Sequence, residues 1–138
     1  MRVAIRSKNL DITPSLRNYV EAKVLGPVRK LLRGAAETDL PMLDLEFSRA
    51  TRHHQKGRVY YAEANLTLGK RVLRAEATEE DIRVACDVLK DELDRAIRRF
   101  KNQSIARGRR DARRAKKELR FDPAARFYRK GRIRDEGN

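Results

Sequence analysis

The sequence predicts an α+β fold: a two-layer sandwich of order β-α-β-β-β-α, with a four-stranded mixed sheet and two helices on one face. Four short segments alternate apolar and polar residues, as half-buried strands do, and two longer segments repeat apolar residues at helical spacing. A third observation, an excess of positive charge toward the end of the chain, adds a basic C-terminal tail to this domain.

The first strand and the first helix come from the opening third of the chain. Val3 and Ile5 alternate with polar or small neighbours, and Pro14 follows a threonine whose hydroxyl suits a helix N-cap. We expect a helix over residues 14–33, with a kink or break at Gly26-Pro27 because a proline inside a helix removes one hydrogen bond. Its apolar stripe comprises Leu16, Val20, Val24, Val28 and Leu31.

Three further strands follow, over about residues 43–47, 58–68 and 71–77, with Gly69-Lys70 as a tight hairpin between the last two. These three strands form an antiparallel meander, and the first strand joins the second in parallel through a right-handed crossover. Because only one face of each strand is apolar, the other face of the sheet is expected to stay polar and in contact with water.

The second helix begins after a capping signal formed by Thr78 and Asp81 and extends to about Asn102. Cys86 lies on its apolar stripe, so a buried, inert thiol is expected there. The stripe comprises Ile82, Cys86, Leu89, Leu93, Ile97 and Phe100.

Charge divides the chain into a folded domain, residues 1–102, and a basic C-terminal extension, residues 103–138. The chain holds 34 Lys+Arg against 20 Asp+Glu, a net charge of +14 over 138 residues. The extension carries 13 basic and 5 acidic side chains but few large apolar ones. Burial therefore does not offset its ordering entropy, and we expect it to be flexible, or helical, until it binds a partner.

Composition also limits the class of function. The positive charge indicates a polyanionic partner, with nucleic acid first and an anionic membrane surface second. No apolar run approaches the roughly 18 residues of a spanning helix, and no secretory signal is recognised, so a cytoplasmic protein is expected. A single cysteine excludes an internal disulfide and a multi-cysteine zinc site. We expect no cofactor, no metal and no small-molecule substrate.

Three segments together resemble a known family: SKNLDITPSLR at residues 7–17, GKRVLRAE at residues 69–76 and DIRVACD at residues 81–87. In their order and spacing they are similar to the ribosome hibernation promoting factors, also called ribosome-associated inhibitor or sigma-54 modulation proteins. The resemblance covers about residues 2–102. It implies the same β-α-β-β-β-α sandwich, an arrangement like that of double-stranded-RNA-binding domains.

The resemblance implies a non-catalytic protein that binds the small ribosomal subunit, its 16S-type rRNA and neighbouring ribosomal proteins, in the channel of mRNA and tRNA. Such a protein competes with mRNA, tRNA and initiation factors, inhibits translation and preserves idle ribosomes. Basic residues on both helices carry the rRNA contacts in the family. Carried over by position, with their basic neighbours, these are Lys23, Arg29, Lys30, Arg95, Arg98 and Arg99.

The chain departs from the family pattern at several positions. Glu92 stands where a lysine is common, Gly26 replaces another basic residue, and Arg83 replaces a usual tyrosine. The extension is also too short and too basic to be the second domain of long family members.

The end of the extension interleaves aromatic and cationic side chains, a pattern that suits stacking on unpaired bases beside phosphate contacts. We expect this segment to follow the mRNA path or an adjoining rRNA groove. Its predicted RNA-binding residues are Arg126, Phe127, Tyr128, Arg129, Lys130, Arg132 and Arg134.

Other interpretations remain open. The helix cations can serve as intrahelical pairs, Asp91–Arg95 and Asp94–Arg98, that stabilise the helix. The whole chain can be a general binder of structured RNA or of double-stranded nucleic acid. An RNA-processing enzyme is a weaker alternative, because no nucleophile, base and orienting group recur at a workable spacing.

Two further groups of polar residues have simple structural explanations. His53 and His54 are adjacent, lack a third ligand, and are expected in a turn. Carboxylates gather on the outer face of the sheet, where they are expected to contact water and to pair with Arg74, while Tyr61 makes a cross-strand contact. These carboxylates belong to Asp44, Glu46, Glu63 and Glu76.

Overall fold

The computed structural model describes residues 1–33, 40–50 and 59–121. Its element order confirms the predicted α+β fold. A π-helical turn, Glu21–Leu25, lies between the first two helices. The other elements are β1 (Arg2–Lys8), α1 (Pro14–Val20), α2 (Gly26–Leu31), β2 (Met42–Arg49), β3 (Tyr60–Leu68), β4 (Arg71–Glu79) and α3 (Ile82–Phe121).

The sheet has the strand order β1-β2-β3-β4. β1 pairs with β2 in parallel, and the other two pairings are antiparallel, as the sequence predicts. Gly69 turns the β3–β4 hairpin with a φ of 59°, a left-handed conformation that glycine adopts without the penalty of a Cβ atom.

One face of the sheet is buried and the other is open. Inward side chains such as Leu45, Phe47 and Ala64 are 0% exposed, whereas their neighbours along each strand are half-buried or exposed. Leu93 and Ile97 of α3 are equally buried, so the helices pack on the same face of the sheet. The rest of this core comprises Leu16, Val20, Val24, Leu25, Val28, Leu43, Val59, Ala62, Leu66, Leu68, Ala75, Ala77, Ala85, Cys86 and Leu89.

The first helical run continues from residue 14 to residue 31, so the chain does not break at Gly26-Pro27, and of the predicted kink or break only a local irregularity next to this pair is present. Thr13 caps it by accepting a hydrogen bond from the Leu16 amide at 3.2 Å. The irregularity is the π-helical turn, which ends where the Gly26 amide donates to the Glu21 carbonyl, five residues back. This wider turn ends directly before Gly26-Pro27, the pair at which a proline ring would clash with the preceding turn of a regular α-helix.

α3 begins where Asp81 accepts a hydrogen bond from the Arg83 amide at 2.7 Å, so the capping side chain is Asp81. The helix continues to Phe121, and the predicted end near Asn102 is wrong. The residues beyond Asn102 are mostly Ala, Arg, Lys and other good helix formers, and no proline occurs before Pro123. The scarcity of apolar residues predicted that the helix ends near Asn102, but the helix propensity of these residues extends it to Phe121.

The chain separates into two compact units, Met1–Arg99 and Phe100–Asn138. The first holds the sheet and the buried core, and the described part of the second is the exposed remainder of α3. Within the described ranges, no helix combines the length and apolar character that a bilayer crossing requires.

Cys86 is fully buried, and burial raises the pKa of its thiol to about 12. We predict that the folded protein reacts with an aromatic disulfide reagent at least ~100-fold more slowly than the chain in denaturing guanidinium, because the thiolate is the reactive form. The absorbance of the released thiol measures both rates. Fast stoichiometric labelling of the folded protein would contradict the buried position of the thiol.

Candidate nucleic-acid interface

Within the first unit, the first helical run and α3 are joined side by side by two hydrogen bonds. The Tyr19 hydroxyl donates to Asp87 Oδ1 at 2.7 Å, and the Arg83 guanidinium donates to Ser15 Oγ at 2.9 Å. Each bond joins residues 68 positions apart, so the two helices run in the same direction. Their C-terminal portions within this unit therefore lie at the same end of the sheet.

Arg83 has a structural role that explains one departure from the family pattern. Besides its bond to Ser15, its guanidinium lies 5.3 Å from the centre of the Tyr19 ring, within the range of a cation–π contact. The hydrogen bond to Asp87 raises the pKa of Tyr19 above its ordinary value. Arg83 thus links the two helices, and this contact could not be predicted from a local pattern because it spans 68 residues.

The predicted cations of the first unit are all exposed on these helices. Lys23, Arg29 and Lys30 lie on the first helical run, and Arg95, Arg98 and Arg99 lie on α3. We call this set the cationic helix face; it comprises Lys23, Arg29, Lys30, Arg95, Arg98 and Arg99.

Three of these cations are already paired with acids on their own helices. Arg29 contacts Glu21, Arg95 contacts Glu92 at 2.6 Å, and Arg98 contacts Asp94 at 2.8 Å. The Asp94–Arg98 pair is confirmed.

The predicted Asp91–Arg95 pair is wrong. The longer side chain of Glu92 reaches Arg95 from three residues away, and Asp91 contacts Lys90 instead, at 3.3 Å. Glu92, the second departure from the family pattern, thus partly neutralises the cationic helix face. Exposed pairs of this kind contribute about 0–1 kcal/mol each, so a polyanion can displace them at low cost.

The remaining three cations, Lys23, Lys30 and Arg99, have no ion-pair partner among the residues that the structure describes. They supply the unneutralised charge of the face.

A groove of about 500 Å³ lies between the first helical run and α3, and Lys23 is one of the residues that line it. Facing it are Asp87, Lys90 and Asp91, which makes the groove mixed in charge. Lys90 is the groove residue that sequence analysis missed. Lys90 follows Asp87 by three residues and precedes Asp94 by four, a spacing that places these side chains on one side of α3 and that could have indicated it.

The open face of the sheet has the opposite character. Tyr61 donates to Glu63 at 2.8 Å and to Glu76 at 2.9 Å, and Arg74 contacts both carboxylates at 3.2 Å. The predicted pairing with Arg74 and the cross-strand contact of Tyr61 are confirmed. In the strand register Glu46, Glu63 and Glu76 lie directly opposite one another, so this face presents a row of carboxylates.

The hydroxyl of Tyr61 should lose its proton at a higher pH than an ordinary tyrosine does. Partial burial and its hydrogen bond to Glu63 raise the pKa of Tyr61 to about 12. Because the folded pKa exceeds the unfolded value of about 10, the stability from this group is complete below pH ~10 and is lost as pH rises toward 12.

The test is an ultraviolet titration of the protein and of Tyr61→Phe. We expect their difference to have a midpoint near pH 12 in the folded state and near pH ~10 in urea. A folded midpoint equal to the unfolded one would contradict the carboxylate contacts.

Across residues 1–33, 40–50 and 59–121, no group of three or more His, Cys, Asp or Glu is arranged to hold a metal ion. His53 and His54, which are predicted to lie in a turn, are outside the described residues. The same applies to the predicted tail site, which comprises Arg126, Phe127, Tyr128, Arg129, Lys130, Arg132 and Arg134.

Two solved structures share this architecture. The first is the crystal structure of the N-terminal domain of Protein Y from Thermus thermophilus, with a TM-score of 0.55 and 28% identity. The match covers 72% of this chain and 99% of that one. The second is a ribosomal subunit interface protein from Coxiella burnetii, with a TM-score of 0.56 over 74% of this chain and 99% of that one. At 19% identity it shows the shared fold alone.

Sequence comparison points the same way. A ribosome hibernation promotion factor from Picosynechococcus sp. is 23% identical over 107 residues, which are 78% of this chain and 52% of that protein. The chain thus spans about half the length of the curated relative that it matches. The sequence model of the family described as sigma 54 modulation protein / S30EA ribosomal protein matches residues 3–104. Since that match covers well over half of the chain, the chain belongs to the sigma 54 modulation protein / S30EA ribosomal protein family.

Proposed function

We propose that this chain is a ribosome hibernation factor: it binds the small ribosomal subunit in the channel of mRNA and tRNA, inhibits translation and stabilises idle ribosomes. Family membership and the relative named a ribosome hibernation promotion factor support a ribosomal partner. The observation that carries the proposal is the cationic helix face, six exposed cations held by two parallel helices on a packed sheet.

The arrangement suits structured RNA, which proteins recognise mainly through shape, phosphates and 2′-hydroxyls. The helices are fixed by a common core and by the Arg83 and Tyr19 contacts, so the cations keep their spacing without paying much ordering entropy on binding. Guanidinium groups bind phosphate through two parallel hydrogen bonds, and the face carries four arginines.

The charge of the open sheet face sets the orientation in which the domain binds RNA. Glu46, Glu63 and Glu76 repel phosphate, whereas the cationic helix face attracts it. The domain therefore approaches RNA with its helices and leaves the carboxylate row turned away. A domain held in this way blocks the channel by its volume, so no catalytic group is required.

The expected partners follow from this position: 16S-type rRNA, the ribosomal proteins beside it, and competition with mRNA, tRNA and initiation factors in the cytoplasm. Cosedimentation tests the proposal. Small subunits should retain the protein saturably at low salt and release it on addition of mRNA with initiator tRNA. Equal affinity for any RNA duplex, with no competition, would instead support a general binder of structured RNA.

The segment from Arg126 to Arg134 is proposed to add contacts along the mRNA path. Truncation after Phe121 removes five cations of this segment, so the slope of log affinity against log salt should flatten by about 0.7 for each lost single-strand contact. Filter binding to small subunits across a salt series measures the slope. An unchanged slope would mean that the segment stays off the RNA.

A further inference from the structure

The part of α3 in the second unit carries eight cations on one half of its circumference. At 100° per residue, the cations of this part form two rows along the helix, roughly 110° apart around its axis. The first row comprises Arg107, Arg110, Arg114 and Lys117. Each row is about 15 Å long at 1.5 Å rise per residue. The second row comprises Arg109, Arg113, Lys116 and Arg120.

These cations repel one another. Arg110 and Arg114, or Arg109 and Arg113, are four residues apart on one helix face, a spacing at which like charges are unfavourable. None of the eight forms an ion pair with a residue inside the described ranges. An exposed helix that concentrates charge in this way gains stability when a polyanion covers the rows.

The opposite face argues against a membrane surface as that polyanion. Helices that lie in a lipid interface bury a stripe of bulky apolar residues. Here the stripe has small residues at Gly108, Ala112 and Ala115, and its two large apolar side chains, Ile105 and Leu119, are 54% and 61% exposed. Asp111 and Glu118 adjoin it.

The two rows of cations match the two phosphate backbones of a nucleic-acid duplex. A single strand that follows the helix satisfies one row and leaves the other exposed, whereas the phosphates of a duplex border each groove on both sides. We propose that residues 103–121 of α3 bind double-helical RNA, with one row of cations on the phosphates of each strand. This inference rests on the proposed function, which makes RNA the partner, and adds a second RNA-binding surface outside the domain.

The test uses the full chain and a fluorescent RNA duplex of about 20 base pairs, slightly longer than the ~16 that duplex-RNA domains span. One variant changes the first row to Gln, a second changes the other row, and a third changes both, because Gln retains helix propensity. A matched control removes four exposed cations from β1 and the β3–β4 hairpin. The control substitutes Gln for Arg2, Arg6, Lys8 and Lys70.

Loss of either row should weaken duplex binding by at least ~100-fold and lower the salt slope by about 3, since each phosphate contact contributes 0.7–0.9 to that slope. The control should change affinity less than about fivefold, and circular dichroism should show unchanged helix content. The inference is overturned if row variants match the control or if only one row matters. An equal loss of binding to single-stranded RNA with the same number of phosphates in the row variants, or tighter binding of the intact chain to anionic vesicles, also overturns it.

The two proposals fail separately because the duplex assay contains no ribosome. Failure of small subunits to retain the intact protein would reject the proposed function, even if the rows bind the duplex. Normal retention together with row variants that bind the duplex like the control would reject only the second surface.

Discussion

Reversing four cations of the helix face to Glu, at Lys23, Arg29, Arg95 and Arg99, should abolish retention on small ribosomal subunits. The change replaces four attractive contacts with four repulsive ones. Because each phosphate contact releases condensed counterions, we expect affinity at moderate salt to fall by more than ~1,000-fold. Glu21 and Glu92, now facing like charges, add to the negative potential of the face.

The fold should survive this change, since all four side chains are exposed and the pairs that are lost contribute about 0–1 kcal/mol each. Thermal unfolding and cosedimentation, measured on the same preparation, separate loss of binding from loss of structure. The control reverses Arg2, Arg6, Lys8 and Lys70 on β1 and the β3–β4 hairpin and should retain most of the binding. Equal loss in both variants would show that net charge alone, rather than the helix face, drives the association.

The largest effect on stability should come from Phe47→Ala. Phe47 is 0% exposed at the centre of the sheet, paired in register with Ala62 of β3. Removing a buried phenyl ring costs about 3–5 kcal/mol in lost transfer free energy and in the cavity left behind. That is a large part of the ~5–15 kcal/mol that a typical domain has.

Calorimetry or denaturant unfolding measures this loss. For a domain near 100 residues each kcal/mol lowers Tm by roughly 4–8 °C. Leu119→Ala is the matched control, because this side chain is 61% exposed and should change stability by less than about 0.5 kcal/mol. A similar small change for Phe47→Ala would mean that the buried sheet face is not the core of the domain.

The sheet could be predicted because its signal is local. In β2 the apolar residues Leu43, Leu45 and Phe47 alternate with polar ones. This pattern is typical of a strand that buries one face against a core. The helical stripes followed in the same way. At Gly26-Pro27 the general penalty for proline indicated a kink or a break, and the helical run instead continues there after a π-helical turn at Glu21–Leu25.

The length of α3 was missed for a different reason. Beyond Asn102 the chain lacks an apolar stripe of the usual width, so the packed helix was predicted to end there and the extension to be flexible, or helical, until it binds a partner. Ala, Arg and Lys need no core to adopt helical backbone angles, and Gly108 is the single poor helix former before Phe121. Propensity, rather than tertiary packing, sets the structure of this part.

The cations of the candidate site came from the family resemblance and stay a prediction. The ion pairs and hydrogen bonds around them depend in part on contacts between residues that are distant in sequence. Arg95 pairs with Glu92 rather than with Asp91, and Arg83 contacts Ser15 of the first helix. Such contacts require the register of the two helices, which no local sequence pattern encodes.

A structure of the small ribosomal subunit with this protein bound at low ionic strength tests the central claim most directly. It should show the cationic helix face against rRNA in the channel of mRNA and tRNA, with Glu63 and Glu76 turned away from the nearest phosphates. A complex bound far from that channel, or one in which the open sheet face lies on rRNA, would contradict the account.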